Sequence, residues 1–219
     1  MARATSRKEV AEPTAPELAE SPDPRVTIAE GDDLVEIEIR DCDLSGIDAS
    51  HARLVRSQLH TTPLTASRLR SVGLVDVLVG DGEFSGADLH EASLLRVEFR
   101  NCRMTGVSFS EAEFRHVRFV ACKLDDANLR MARLDHVWFE DCSLVEADLA
   151  GAALGSVRMD RCDLDALDVS QAVATSLDLR GSRFESLRGA SGLRAVRIGA
   201  DQVMPFALGV FAETGVRID

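Results

Sequence analysis

Residues 109–129 read FSEAEFRHVRFVACKLDDANL, and the spacing inside that stretch decides the fold. Phe109, Phe114, Phe119, Leu124 and Leu129 recur every fifth residue. A period of five belongs neither to a helix, which repeats every 3.6 residues, nor to a flat strand, which repeats every 2. Outward from this stretch the register runs unbroken from Leu34, Ile39 and Leu44 to Leu164, Val169, Leu179 and Phe184, with only Ala49 and Ala174 smaller than valine. A chain that turns by the same amount every five residues and stacks on itself is a solenoid.

A second, smaller inward residue sits two positions before each of the first, as in Ala92, Val97, Cys102, Val107 and Ala112. A small and a large residue with one between them make a short extended stretch. The remaining two, such as Ser85-Gly86 and Thr105-Gly106, suit a tight corner. A period of twenty is superimposed. Cys42, Cys102, Cys122, Cys142 and Cys162 share one of its columns, and Val77, Val97, Val117, Val137 and Val157 share another. Four units of five therefore close one coil of a four-sided helix.

These residues resemble the pentapeptide-repeat family, whose consensus stands at Ala87-Asp88-Leu89, Ala127-Asn128-Leu129 and Ala147-Asp148-Leu149, with looser versions such as Cys42-Asp43-Leu44 and Cys162-Asp163-Leu164. The resemblance covers about 155 of 219 residues, from Asp32 to Ser186, in 31 consecutive units. It implies an all-β solenoid, a right-handed quadrilateral β-helix. At four units per coil and about 4.8 Å between coils, the rod has about eight coils and is roughly 37 Å long. The expected organisation is a disordered tail over 1–25, rich in proline and charge, a β-helix over 26–198, and a capping helix and strand over 199–219.

Past Phe184 the register decays. Asp201 is placed to cap a short helix through about Thr214, with Val203, Phe206, Val210 and Phe211 on one face and Gly215 as the stop. A strand Val216-Arg217-Ile218 is expected after it. The helix resembles that of the mycobacterial fluoroquinolone-resistance type of pentapeptide protein in Asp201, Gln202, Phe206, Ala207 and Gly215, which implies a homodimer built through it. The plainer expectation is that it caps its own rod.

The five cysteines read as small core residues. No Cys-x-x-Cys pair occurs, and one stacked column cannot surround a metal, so no metal or cofactor is expected. Five unpaired thiols suggest a reducing, cytoplasmic compartment. No run of the sequence approaches a membrane span, so no membrane association is expected.

The net charge is −12, and between Asp32 and Ser186 there are 28 acids against 17 bases. Direct binding to nucleic acid needs the opposite sign. Most of the excess falls on the cysteine-bearing face and the next, where Asp43, Glu83, Asp88, Asp125, Asp126, Glu146, Asp148, Asp163 and Asp165 form a candidate acidic face. Some members of the family imitate DNA and occupy DNA gyrase, so the resemblance makes gyrase a candidate partner and fluoroquinolone or toxin resistance a candidate role. Duplex DNA carries about 22 charges over the same length, twice the excess here. The unbroken register also leaves no room for the projecting loops of the plasmid-borne resistance members.

The less charged side offers an outward apolar stripe, Val35, Val55, Val75 and Leu95, beside a column Arg118, Trp138 and Arg158. That column sets the only tryptophan between two guanidiniums, favourable for cation–π contact. An exposed apolar stripe marks a partner site, unless the N-terminal tail covers it. His51, His60, His90, His116 and His136 fall on outward or corner positions and read as solvated. Asp125-Asp126 and Asp163 with Asp165 lie on a convex wall, whereas catalysis needs a concave, water-poor site. No nucleotide-binding or metalloprotease motif occurs. The expectation is a non-enzyme: a rigid scaffold for a protein partner.

Overall fold

The computed structural model of the protein describes residues 10–216. Strands β1 (Asp23–Arg25), β2 (Asp33–Val35) and β3 (Ile37–Arg40) open the stack. Its body is β4 (Arg53–His60), β5 (Gly73–Gly80), β6 (Ser93–Arg100), β7 (Glu113–Val120) and β8 (Arg133–Glu140), continued by β9 (Ala153–Leu154) and β10 (Val157–Asp160). Every pairing in the body is parallel and offset by twenty residues, as in Val77↔Val97, Val97↔Val117, Val117↔Val137 and Val137↔Val157. The two sides without long strands stack in the same register through single bridges such as Glu83↔Arg103 and Asp88↔Ser108. The result is a parallel β-solenoid of about eight turns, the fold the five- and twenty-residue periods require.

The coils bury their large and small ladders, apart from Cys42 and Ile47 near the N-terminal end, which are half-buried. Phe99, Phe109, Phe114, Phe119 and Phe139 are among the largest fully buried side chains. Because neighbouring coils are in register, identical residues stack. The Phe119 ring lies parallel to Phe99 and Phe139, with centroids 5.0 and 4.8 Å apart. The corners are sharper than the Ser-Gly pairs suggest. One residue of nearly every five has positive φ whether or not it is glycine: 71° at Gly46, 52° at Arg56 and 58° at Met131. The left-handed region costs a non-glycine residue roughly 1–2 kcal/mol. The stacked ladder must outweigh that cost at each corner.

The N-terminal segment departs from its expected place. Residues 1–9 lie outside the described residues, but residues 10–25 are laid against the rod. β1 pairs in parallel with β3, Asp23 opposite Ile37. Before it, the chain climbs the corner between the β2-type and β3-type sides, perpendicular to the strands. Ala19 N–H donates to the Arg56 carbonyl at 3.4 Å, Glu17 N–H to Asp76 at 3.0 Å, and Thr14 N–H to His116 Nδ1 at 3.2 Å. From Asp76 to His116 is two coils, about 9.6 Å, and three extended residues span about 10 Å. Pro13 and Pro16 suit such an extended strap, which needs few N–H donors.

At the other end the twenty-residue offset shortens to nineteen, with Leu177 opposite Val196. A short 3-10 turn, Ala200–Gln202, then leads into helix α1 (Val203–Thr214), which Gly215 ends at φ 73°. The expected cap by Asp201 is corrected. Gln202 makes the bonds, its Oε1 accepting from Gly199 N–H at 2.7 Å and its Nε2 donating to the carbonyls of Leu179 and Ser182 at 2.7 and 2.5 Å. The amide reaches both ways because Gln202 is buried at the end of the rod. The four residues placed on one helical face also divide. Phe206 and Val210 pack against the core, while Val203 and Phe211 are 55% and 37% exposed. The expected terminal strand is not among the described residues beyond Val216.

Candidate partner surface

The corner under the strap is built by one column of left-handed residues, Glu36, Arg56, Asp76, Arg96, His116 and His136, each twenty positions after the last. Charges alternate along it. Arg56 pairs with Glu36 at 3.0 Å, and Arg96 grips Asp76 through two bonds of 2.6 Å. Asp76 is buried, yet its carboxyl is held below the usual range: burial pushes it up, and the bonds from Arg96 and Glu17 N–H outweigh that. His116 and His136 continue the column as tilted rings 4.7 Å apart. Burial lowers His116 below its ordinary value, as do the charges of His136 and Arg96, against an opposing pull from Asp135.

On the β3-type side of the corner stand Arg118, Trp138 and Arg158, brought together as the sequence spacing predicts. The guanidiniums lie 5.8 and 5.0 Å from the indole centroid. Arg118 also pairs with Glu140 at 2.9 Å and with Glu12 of the strap at 3.4 Å, and Arg158 with Asp160 at 3.4 Å. Two donors here, Arg118 Nε and Trp138 Nε1, are buried and find no acceptor among the described residues. On the other side run Val35, exposed, and Val55, Val75 and Leu95, each half-buried. The strap thus runs between the two halves of the predicted surface. Its contact residues Glu12, Thr14, Glu17 and Asp76 were not singled out in the sequence. The alternating Glu36–Arg56–Asp76–Arg96 column was the available signal.

The candidate acidic face is less bare than its composition. Glu83 pairs with Arg103 at 3.3 Å, Asp88 with Arg70 at 2.5 Å and Asp125 with Lys123 at 3.1 Å. Asp148 pairs with Arg130 at 2.9 Å and Asp163 with Arg183 at 2.6 Å. Asp43 and Asp165 accept backbone N–H groups from Ser45 and from Glu185 and Ser186. Asp126 and Glu146 share one corner column and have no cation partner among the described residues.

Cys102, Cys122, Cys142 and Cys162 are buried in one inward column, their thiols donating to carbonyls one coil back, as Cys122 to Phe99 and Cys142 to Phe119, whereas Cys42 is only half-buried and donates to Arg40 of its own coil. Hydrogen bonding to Cys122 and burial both raise Cys142, which therefore holds its proton. Among the described residues no three His, Cys, Asp or Glu side chains converge as metal ligands. No helix among them is long and apolar enough to cross a membrane.

A four-sided parallel coil with one inward leucine or phenylalanine per five residues defines the pentapeptide-repeat class. The family model described as pentapeptide repeat region matches residues 92–169, within the coils described above. Among solved structures it is similar to a trypsin-treated form of QnrB1, a plasmid-mediated fluoroquinolone resistance protein. Identity there is 14%, over 85% of this chain and 100% of that one, with a TM-score of 0.39. It is also similar to HetL, a pentapeptide repeat protein involved in heterocyst differentiation regulation from the cyanobacterium Nostoc sp. strain PCC 7120. Here identity is 21%, over 77% of this chain and 84% of that one, with a TM-score of 0.33. A pentapeptide repeat protein from the Arabidopsis thaliana thylakoid lumen is 15% identical over 66% of this chain and 70% of its own, with a TM-score of 0.23. No curated protein matches the chain.

Proposed function

We propose that the protein is a non-catalytic rod that binds a protein partner, presenting side chains in rows at the fixed coil spacing. The observation that carries this reading is the partner surface at the strapped corner: a cation–indole–cation stack and an apolar stripe fixed on strands of a filled core. Rigid strands hold such a surface at little entropic cost on binding. A purified chain used as bait tests it. Leu95→Glu and Trp138→Ala are expected to fold as the native chain does and to lose the partner the native chain retains. Unchanged recovery by both variants defeats this surface as the binding site.

A second reading, occupation of DNA gyrase in place of DNA, draws on the net charge of −12 and on the unpaired corner acids Asp126 and Glu146. The ion pairs on Glu83, Asp88, Asp125, Asp148 and Asp163 weigh against it, because a neutralised carboxylate contributes little field at a distance. A supercoiling assay with and without a fluoroquinolone decides. Inhibition at low micromolar protein, relieved by Asp126→Lys with Glu146→Lys, supports the DNA mimic. No effect at saturating protein removes it.

A further inference from the structure

Residues 10–20 carry Glu12, Glu17 and Glu20 and no base, and they lie along a corner bearing Arg56, Arg96, His116 and Arg118, whose arginines also pair with Glu36, Asp76 and Glu140 of the rod. The strap is held as a ligand is held. Its contacts are backbone N–H donors to Asp76 and His116, one carboxylate on Arg118, and small residues, Val10, Pro13 and Ala19, buried against the rod. It adds no strand to any sheet between residues 10 and 22. The fit is incomplete. Arg118 Nε and Trp138 Nε1 remain buried without acceptors among the described residues, and a buried donor left unpaired is destabilising. A segment that kept the Glu12 carboxylate and brought an acceptor to the indole N–H would displace the strap.

We propose that the corner formed by Arg56, Arg96, His116, Arg118 and Trp138 is a docking site for an extended acidic peptide segment of a partner protein, occupied in the isolated chain by residues 10–19. This rests on the scaffold reading and gives the partner its chemistry: extended backbone, acidic side chains spaced about five residues apart as Glu12 and Glu17 are, and small or proline residues between them. Arg118, which holds Glu12 in the strap, is the receptor for such a carboxylate. Because the occupant is tethered, its effective concentration is high, and a free peptide must compete with it.

Trp138 is the only tryptophan, so its emission reports this corner alone. The test uses the full chain, native and carrying Glu12→Lys with Thr14→Pro, which removes the carboxylate and the N–H that hold the strap. Each is titrated with a synthetic peptide of residues 10–20 and with the same peptide bearing lysine at its three glutamates. The expected result is a saturable emission shift with the acidic peptide, at least tenfold tighter for the strap-weakened chain. The lysine peptide gives none, and Arg118→Glu in the strap-weakened chain abolishes the response. An unchanged far-ultraviolet spectrum shows that the variants fold. No saturable shift in the strap-weakened chain, or equal binding by the Arg118→Glu variant, overturns the proposal. No peptide response together with a doubled mass that the strap-weakening substitutions return to one chain also overturns it, assigning the corner to the strap of a second copy. A silent titration leaves the scaffold reading standing, since that reading falls only when the bait experiment fails.

Discussion

The cysteine column shows how far one position dictates its occupant. Ser182 sits in the same column, its Oγ donating to the Met159 carbonyl at 2.9 Å, where Cys162 donates to Phe139 at 3.4 Å. The position asks for a small side chain with a donor aimed one coil back, and a hydroxyl meets that as well as a thiol. Cys122→Ser is therefore expected to shift stability by no more than about 1 kcal/mol, the size of one hydrogen bond. Cys122→Leu overfills the coil and costs about 1–3 kcal/mol. Urea midpoints separate the two, and a serine variant as damaged as the leucine one would refute the small-donor account. Gly189 is the opposite case. It has φ 81°, and a Cβ there would stand 2.3 Å from the Ser170 backbone. No flexible side chain can give way, so Gly189→Ala is expected to loosen the last coil by more than about 2 kcal/mol. Its neighbours, Ala190 and Ser191, are also held through N–H bonds to Glu213 at 3.0 Å, so the same change should free α1 from the rod.

At the scale of elements, the β-coils were legible and the two ends were not, for one physical reason. A coil buries two of every five residues, and that pattern repeats from Leu34 to Phe184, so each unit checks the others. The strap and α1 occur once each. The strap has the prolines and charges of a solvated tail, and its order comes from contacts with residues some sixty to a hundred positions away, such as Asp76 and His116. Helix α1 is apolar around its whole circumference, so spacing alone could not say that Phe206 and Val210 face inward while Met204 and Leu208 face outward. The strap also carries a pH dependence. His116 Nδ1 accepts the Thr14 N–H, which it does only when unprotonated. The groups facing that ring are His136, Asp135 and Arg96, and its folded value lies below the ordinary 6.5. As pH falls below 6.5 the unfolded chain takes up the proton first. The contribution of His116 is thus complete above that value and lost as pH falls through the lower folded one. Trp138 emission is expected to titrate in this window as the strap loosens. His116→Asn, which keeps an acceptor and tolerates the left-handed backbone, should remove the transition. A transition that survives the substitution would place the titrating group elsewhere.

The whole molecule is a rod whose one exposed apolar helix lies at its C-terminal end. Val203, Met204, Leu208 and Phe211 are 55%, 68%, 45% and 37% exposed, on a helix that buries no residue fully. A cap needs only its inner face, and Phe206, Val210 and the three N–H bonds accepted by Glu213 supply that. The outer face is surplus to capping, and exposed apolar surface of this kind marks an interface. We propose a second copy as its occupant, because a self-complementary helix pair about a two-fold axis closes with no further surface left exposed. Two rods joined end to end would also place two strapped corners on one particle, so a partner with two acidic segments would bind with the gain that tethering gives. Light scattering is expected to give twice the 23.8 kDa chain mass at micromolar concentration. Met204→Glu with Phe211→Glu should return it to the single-chain value without changing the melting of the coils. A native chain that already weighs one chain would refute the pairing, and α1 would then serve as a cap alone.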